Sequence, residues 1–291
     1  MKGTENTMDN MNIRYNNKGE TIGKIILYLI MGITMAVYLY PLLWLLINSL
    51  KTNPEIALKP WDLPEKIMWS NYTRAWTVGK ISKYMLNSVI VTTVSLIFAV
   101  MLSAMAAYGI KRMRWKLSGF VLILFLTGTM IPIHTTLIPL FINFSKMGLT
   151  NTYFAMILPY ITFAFPTTIF ILSGFFGTIP REVEEAAILD GCSLWRVFIW
   201  IILPISKPAI ITVCIFNFIA IWGELLVPLI FISNPDLMTL PIGLTNFVGM
   251  YSTDYAPLLA GIFLTILPSI IVYSIFNSQI AAGVTAGALK G

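Results

Sequence analysis

Charge is what this 291-residue chain has least of. Only 11% of its residues are Asp, Glu, Lys or Arg, against about a quarter in a soluble globular domain, so most of the chain does not face water. Two cysteines, Cys192 and Cys214, and one histidine, His134, stand at no metal-ligand spacing and imply neither a zinc site nor a disulfide framework. No Gly-x-x-x-x-Gly-Lys-Ser/Thr phosphate loop occurs, so the chain has no evident means of using ATP itself. Paired carboxylates, a histidine cluster and a nucleophile beside a base are also missing, which argues against a membrane enzyme. In their place stand hydrophobic residues, 57% of the total. The net charge of +6 would suggest nucleic acid in a soluble protein. Here the basic residues flank apolar runs and act as topology signals, and no nucleic-acid patch is present.

A membrane span needs about 20 apolar residues, and six runs qualify: Ile25 to Leu50, Tyr84 to Ile110, Leu117 to Ser145, Met147 to Pro180, Pro208 to Ile232, and Ala256 to about Ala282. The pattern predicts an all-α, six-span membrane protein. Residues 1–24 read as a polar cytoplasmic tail and 25–291 as the transmembrane domain, with a charged loop at 179–207 and a C-terminal cytoplasmic tail at 283–291. The loop after the second run carries Lys111, Arg112, Arg114 and Lys116 without an acid, which places it in the cytoplasm. Alternation then puts both termini and residues 180–207 there too. Six Lys or Arg in the 51–83 connection pull the other way, although long loops escape the charge rule.

Four of the thirteen acidic residues sit in the charged loop, which opens Ile179-Pro180-Arg181-Glu182-Val183-Glu184-Glu185-Ala186-Ala187-Ile188-Leu189-Asp190-Gly191. Pro180 suits a first helical position, and the glutamates suit the positive end of a helix dipole. Gly191 stops that helix. Ser193 is a fair N-cap for a second helix, Leu194 to Ile202, which Pro204 and Pro208 close off. The expected unit is helix, turn, helix, facing water or another protein.

This segment resembles the cytoplasmic coupling loop, the EAA motif, of the membrane subunits of ATP-binding-cassette importers. Glu185-Ala186-Ala187, Gly191, Ile201, Leu203 and Pro204 fill the family's places at its spacing. The ending Gly283 to Gly291, with Leu267-Pro268, Tyr273 and Gln279, resembles the smaller six-span permease of maltose-type sugar importers. So do Asn71-Tyr72, Asn87-Ser88, Ala106-Ala107-Tyr108, Asn151-Thr152 and Leu240-Pro241. The resemblance implies a translocation subunit, not an enzyme, at a bacterial or archaeal inner membrane. It implies a heterodimer with a second permease, two ATPase subunits that bind the ATP and Mg, an external sugar-binding protein, and no cofactor in this chain. Glu185 would be the charged contact to an ATPase, Ala186 and Ala187 would lie against it, and Gly191, after Asp190, would make the turn. The 233–255 connection would face the binding protein and the Gly287 to Gly291 tail the ATPases.

Glu224 is the one carboxylate inside a run, where a charge is costly unless it faces a cavity or a partner. Its segment resembles the family's Trp-Asn-Glu/Asp-aromatic pattern, with Gly223 for the usual Asn and Leu225 for the usual aromatic. Trp222, Glu224 and Asn217 are thus candidates for a pathway or gate. The competing reading has Glu224 capping or pairing near the outer end of its span. His134, beside Pro132, is more often a packing or interface residue than a proton carrier. An ion-gradient-driven secondary transporter is the alternative function; it would normally show inverted repeats and several intramembrane ionisable groups, and neither is apparent here.

Overall fold

The computed structural model describes residues 17–113, 115–249 and 253–288. Expectations for residues 1–16, for Arg114 and for the last three residues lie outside them. Most of the described chain is helical. α1 (Asn17–Ser49) leads through short helices α2 (Asn53–Leu58) and α3 (Ser70–Thr77) to α4 (Ile81–Lys111). Next come α5 (Ser118–Thr127), α6 (Ile133–Lys146) and α7 (Phe154–Phe176), then α8 (Arg181–Leu189), α9 (Leu194–Val197) and α10 (Leu203–Ile205). α11 (Lys207–Trp222), α12 (Leu226–Phe231), α13 (Leu240–Leu244) and α14 (Tyr255–Ala288) complete the chain.

Among the described residues, α1, α4, α7 and α14 are each long and apolar enough to cross a membrane. Two bent pairs, one at residues 118–146 and one at residues 194–222, raise the number to as many as six by length and composition if each pair is one span. The expected third span is not straight: α5 with its 3-10 extension meets α6 at 94°. Pro132 brings no N–H to the ladder, and Ile131 before it is extended, at φ −83° and ψ 114°, as a residue preceding proline prefers. The expected fifth span is interrupted too. α11 stops at Trp222, and three residues separate it from α12. His134 lies exposed in the first turn of α6, beside the 94° break.

α4 and α7 pack along each other in the middle of the molecule. Their buried seam combines the small residues Ala104 and Ala107 with Ile169, Leu172 and Phe176. Apolar side chains on α1, α5 and the outer faces of α4 and α7 are exposed instead, the inverse of a soluble fold and the surface that hydrocarbon or partner helices cover.

The two ends of the bundle differ. At one end, the 51–83 connection, Asn151, residues 233–238 and Asp254 are stitched together. The Lys51 ammonium is fully buried and donates to the Asn48 Oδ1 and the Lys59 carbonyl. Lys59 pairs with Glu65, Arg74 with Asp254, and Lys83 with Asp236. Four of the connection's six cations therefore have local partners, which blunts their conflict with the charge rule. Glu55 completes a capping box with Thr52. The Thr52 backbone N–H, then that of Glu65, holds its carboxyl below the usual range. The opposite end carries Lys111, Arg112 and Lys116 and the 177–206 segment.

Candidate functional site

The charged loop folds as helix, turn, helix. Pro180 is the residue before α8 and not its first residue: at φ −57° and ψ 141° it is extended, and the helix begins at Arg181. Glu182 and Glu184 fall in the first turn, where the helix dipole favours them. The helix ends in a Schellman motif. Cys192 N–H donates to the Ala187 carbonyl at 2.9 Å and Gly191 N–H to the Ile188 carbonyl at 3.0 Å, with Gly191 at φ +83°. Only glycine adopts that conformation without strain as a matter of course. Asp190 is exposed and serves as C-cap.

Ser193 caps the second helix as expected, its Oγ accepting the Arg196 N–H. That helix does not stop at Pro204. It passes through a π turn at Phe198–Ile202, closed by Leu203 N–H to the Phe198 carbonyl, and continues to Ile205 before meeting α11 at 75°. The wider turn changes the carbonyl register just before Pro204, whose ring clashes with an ordinary helical ladder.

The two faces of α8 have different neighbours. Glu185, Ile188 and Leu189 stand at i, i+3 and i+4 and are exposed, Leu189 by 88%. Ala186 is exposed beside them, and Leu194 and Trp195 continue the exposed apolar surface in the next helix. Ala187 points the other way. It is buried with Val197, Phe198 and Ile202 in the core cluster that includes Tyr108, Phe176 and Ile179. The expectation that both alanines lie against a partner therefore divides: Ala186 is available, and Ala187 packs within its own chain.

Sequence reasoning missed the residue that fixes this unit. Arg112, the C-cap of α4, reads in sequence as one more topology cation. In the structure its Nε donates to Glu184 Oε1 at 2.8 Å, and its Nη1 donates to the carbonyls of Ile179 at 2.8 Å and Phe176 at 3.2 Å. The side chains of Arg112 and Glu184 are only 4% and 14% exposed. The loop holds two Lys and two Arg, so its composition does not single out Arg112; the planar guanidinium suits several fixed acceptors at once.

The three candidate pathway residues lie around the end of α11. Trp222 is buried, stacked on Phe218, and its Nε1–H donates to the Thr265 carbonyl at 2.9 Å. Asn217 Nδ2 donates to Thr168 Oγ1 on α7 at 2.9 Å. Glu224 occupies the break between α11 and α12. It accepts the Leu226 and Val227 N–H groups at 3.0 and 2.8 Å and the Tyr160 hydroxyl at 3.3 Å. The three share no hydrogen-bonding partner. Glu224 caps the start of α12, so Glu224→Ala should destabilise the protein by about 1 kcal/mol. Thermal unfolding in detergent measures this, and an unchanged midpoint would contradict the cap.

Residues 99–279 match the family described as binding-protein-dependent transport system inner membrane component. A probable ABC transporter permease protein of Bacillus subtilis, YurM, is 37% identical over 270 residues, covering 93% of this chain and 90% of that one. The diacetylchitobiose uptake system permease protein NgcG of Streptomyces coelicolor is 36% identical, covering 87% and 85%. Among solved structures, a chain of a bacterial ABC transporter that imports the acidic polysaccharide alginate superposes with a TM-score of 0.78 at 19% identity, over 89% of this chain and 97% of that one.

Proposed function

The chain belongs to the family of binding-protein-dependent transport system inner membrane components, and from that premise we propose that it is the translocation subunit of an ATP-driven carbohydrate importer. The carbohydrate assignment draws on relatives such as the diacetylchitobiose permease. A second permease subunit would complete the pathway, two ATPases would supply the energy, and an external binding protein would deliver the sugar. The ion-gradient alternative has no support from these relatives.

One observation carries the coupling role. The α8–α9 unit is bonded to the bundle on one side and presents Glu185, Ala186, Ile188, Leu189, Leu194 and Trp195 on the other. Such a rim of mixed charge and apolar surface on a short helix suits insertion into a protein groove. In this reading the face is cytoplasmic, as are both termini, and Gly191 and Asp190 set the turn. ATP-driven closure of the ATPases moves the α8–α9 units of the two permeases together, and the spans follow as rigid bodies. Glu224 and Asn217 belong to the neighbourhood of the pathway, and Trp222 supports it from the core.

Purification of the chain from its native membrane with mild detergent tests this reading. A second permease and an ATPase should co-purify, and uptake should cease when ATP is depleted with the ion gradient intact. A chain that purifies alone and moves solute after reconstitution without ATP would overturn it.

A further inference from the structure

From the position of Arg112 we infer that its pairing with Glu184 is the joint through which displacement of α8 reaches the transmembrane helices, so that Arg112 is a positioning residue for energy coupling. This inference rests on the coupling role proposed above. α8 has few other polar ties to the bundle: its C-terminus is closed by its own Schellman bonds, and Ala187 makes an apolar contact. Apolar contacts resist separation but are non-directional, so they allow one helix to slide on another.

Arg112 supplies direction. One guanidinium, rooted at the end of α4, bonds the carbonyls of Phe176, the last residue of α7, and Ile179, and reaches the carbonyl of Pro180, the residue before α8. Its Nε meets the carboxylate of Glu184 on α8 itself. The end of α4, the end of α7 and the first turn of α8 are thus pinned to one planar group. Because the pair is nearly dry, its attraction is screened far less by salt than that of the exposed pairs at the other end. Replacing both partners of a buried pair by apolar residues often leaves stability unchanged, which allows coupling to be separated from folding.

The experiment compares wild type, Arg112→Lys and the double variant Arg112→Met/Glu184→Met as complete importers with their ATPases, reconstituted in vesicles. It reads sugar transported per ATP hydrolysed and the amount of assembled complex. Lys keeps the charge but cannot reach four acceptors from one plane. Expected are assembly within about twofold of wild type for the double variant and a transport-to-hydrolysis ratio at least tenfold lower in both. A wild-type ratio in either variant, or failure of both to assemble, overturns the inference and leaves the pair a structural tie. Transport by the wild-type chain without its ATPases would instead sink the functional reading.

Discussion

Gly191→Val is expected to cut uptake by about tenfold or more, while the chain still reaches the membrane. A β-carbon at Gly191 would meet nothing within 4 Å, so the effect does not come from crowding. It comes from φ +83°: holding an L-residue in the left-handed region costs roughly 1–2 kcal/mol, more for a β-branched side chain. That cost falls on the Schellman bonds of Cys192 and Gly191, which fix the angle between α8 and α9. Gly191→Asn separates this account from a general intolerance, because asparagine visits the left-handed region readily. Asn should keep most of the uptake that Val loses, with membrane abundance measured beside both. Equal loss in the two variants would remove backbone conformation as the cause.

The same glycine shows what could be read from sequence. Helix ends depend on residues adjacent in the chain, so Pro180, Gly191 and Ser193 mark both ends of α8 and the start of α9 to within one residue, while the end of the second helix lies three residues beyond the expected Ile202. The six apolar runs are equally local, since hydrocarbon thickness sets their length. Where proline interrupts an apolar run, the run keeps its hydrophobicity and loses its straightness. Pro132 therefore left the third span's composition intact and bent it by 94°, while Pro204 altered its helix by inserting a π turn without ending it.

Contacts distant in sequence were not legible. Arg112 and Glu184 are 72 residues apart, and nothing in the sequence of the basic loop separates Arg112 from Lys111 and Lys116, which are exposed. For Glu224 the sequence supports both a pathway role and a cap. Its bonds to the Leu226 and Val227 N–H groups depend on where α11 stops, which an uninterrupted apolar run from Pro208 to Ile232 conceals.

Ala186 and Ala187 carry the sharpest remaining test, because the family pattern treats them as a pair and the structure sets them on different faces. Ala186→Leu adds an exposed side chain and should leave the unfolding midpoint of the purified chain essentially unchanged, within about 0.5 kcal/mol. Its effect should fall on capture of the ATPase and on uptake, since a larger side chain holds the two surfaces apart. Ala187→Leu must fit among Val197, Phe198 and Ile202 and should destabilise the chain by about 1–3 kcal/mol even with no ATPase present. Thermal unfolding of the isolated chain and ATPase pull-down, measured on both variants, give a crossed pattern if the division holds. Two variants that lose capture equally with normal unfolding would mean that Ala187 turns outward when the partner binds. α8 would then have to rotate on the bundle, and the Arg112–Glu184 bond could not survive that rotation.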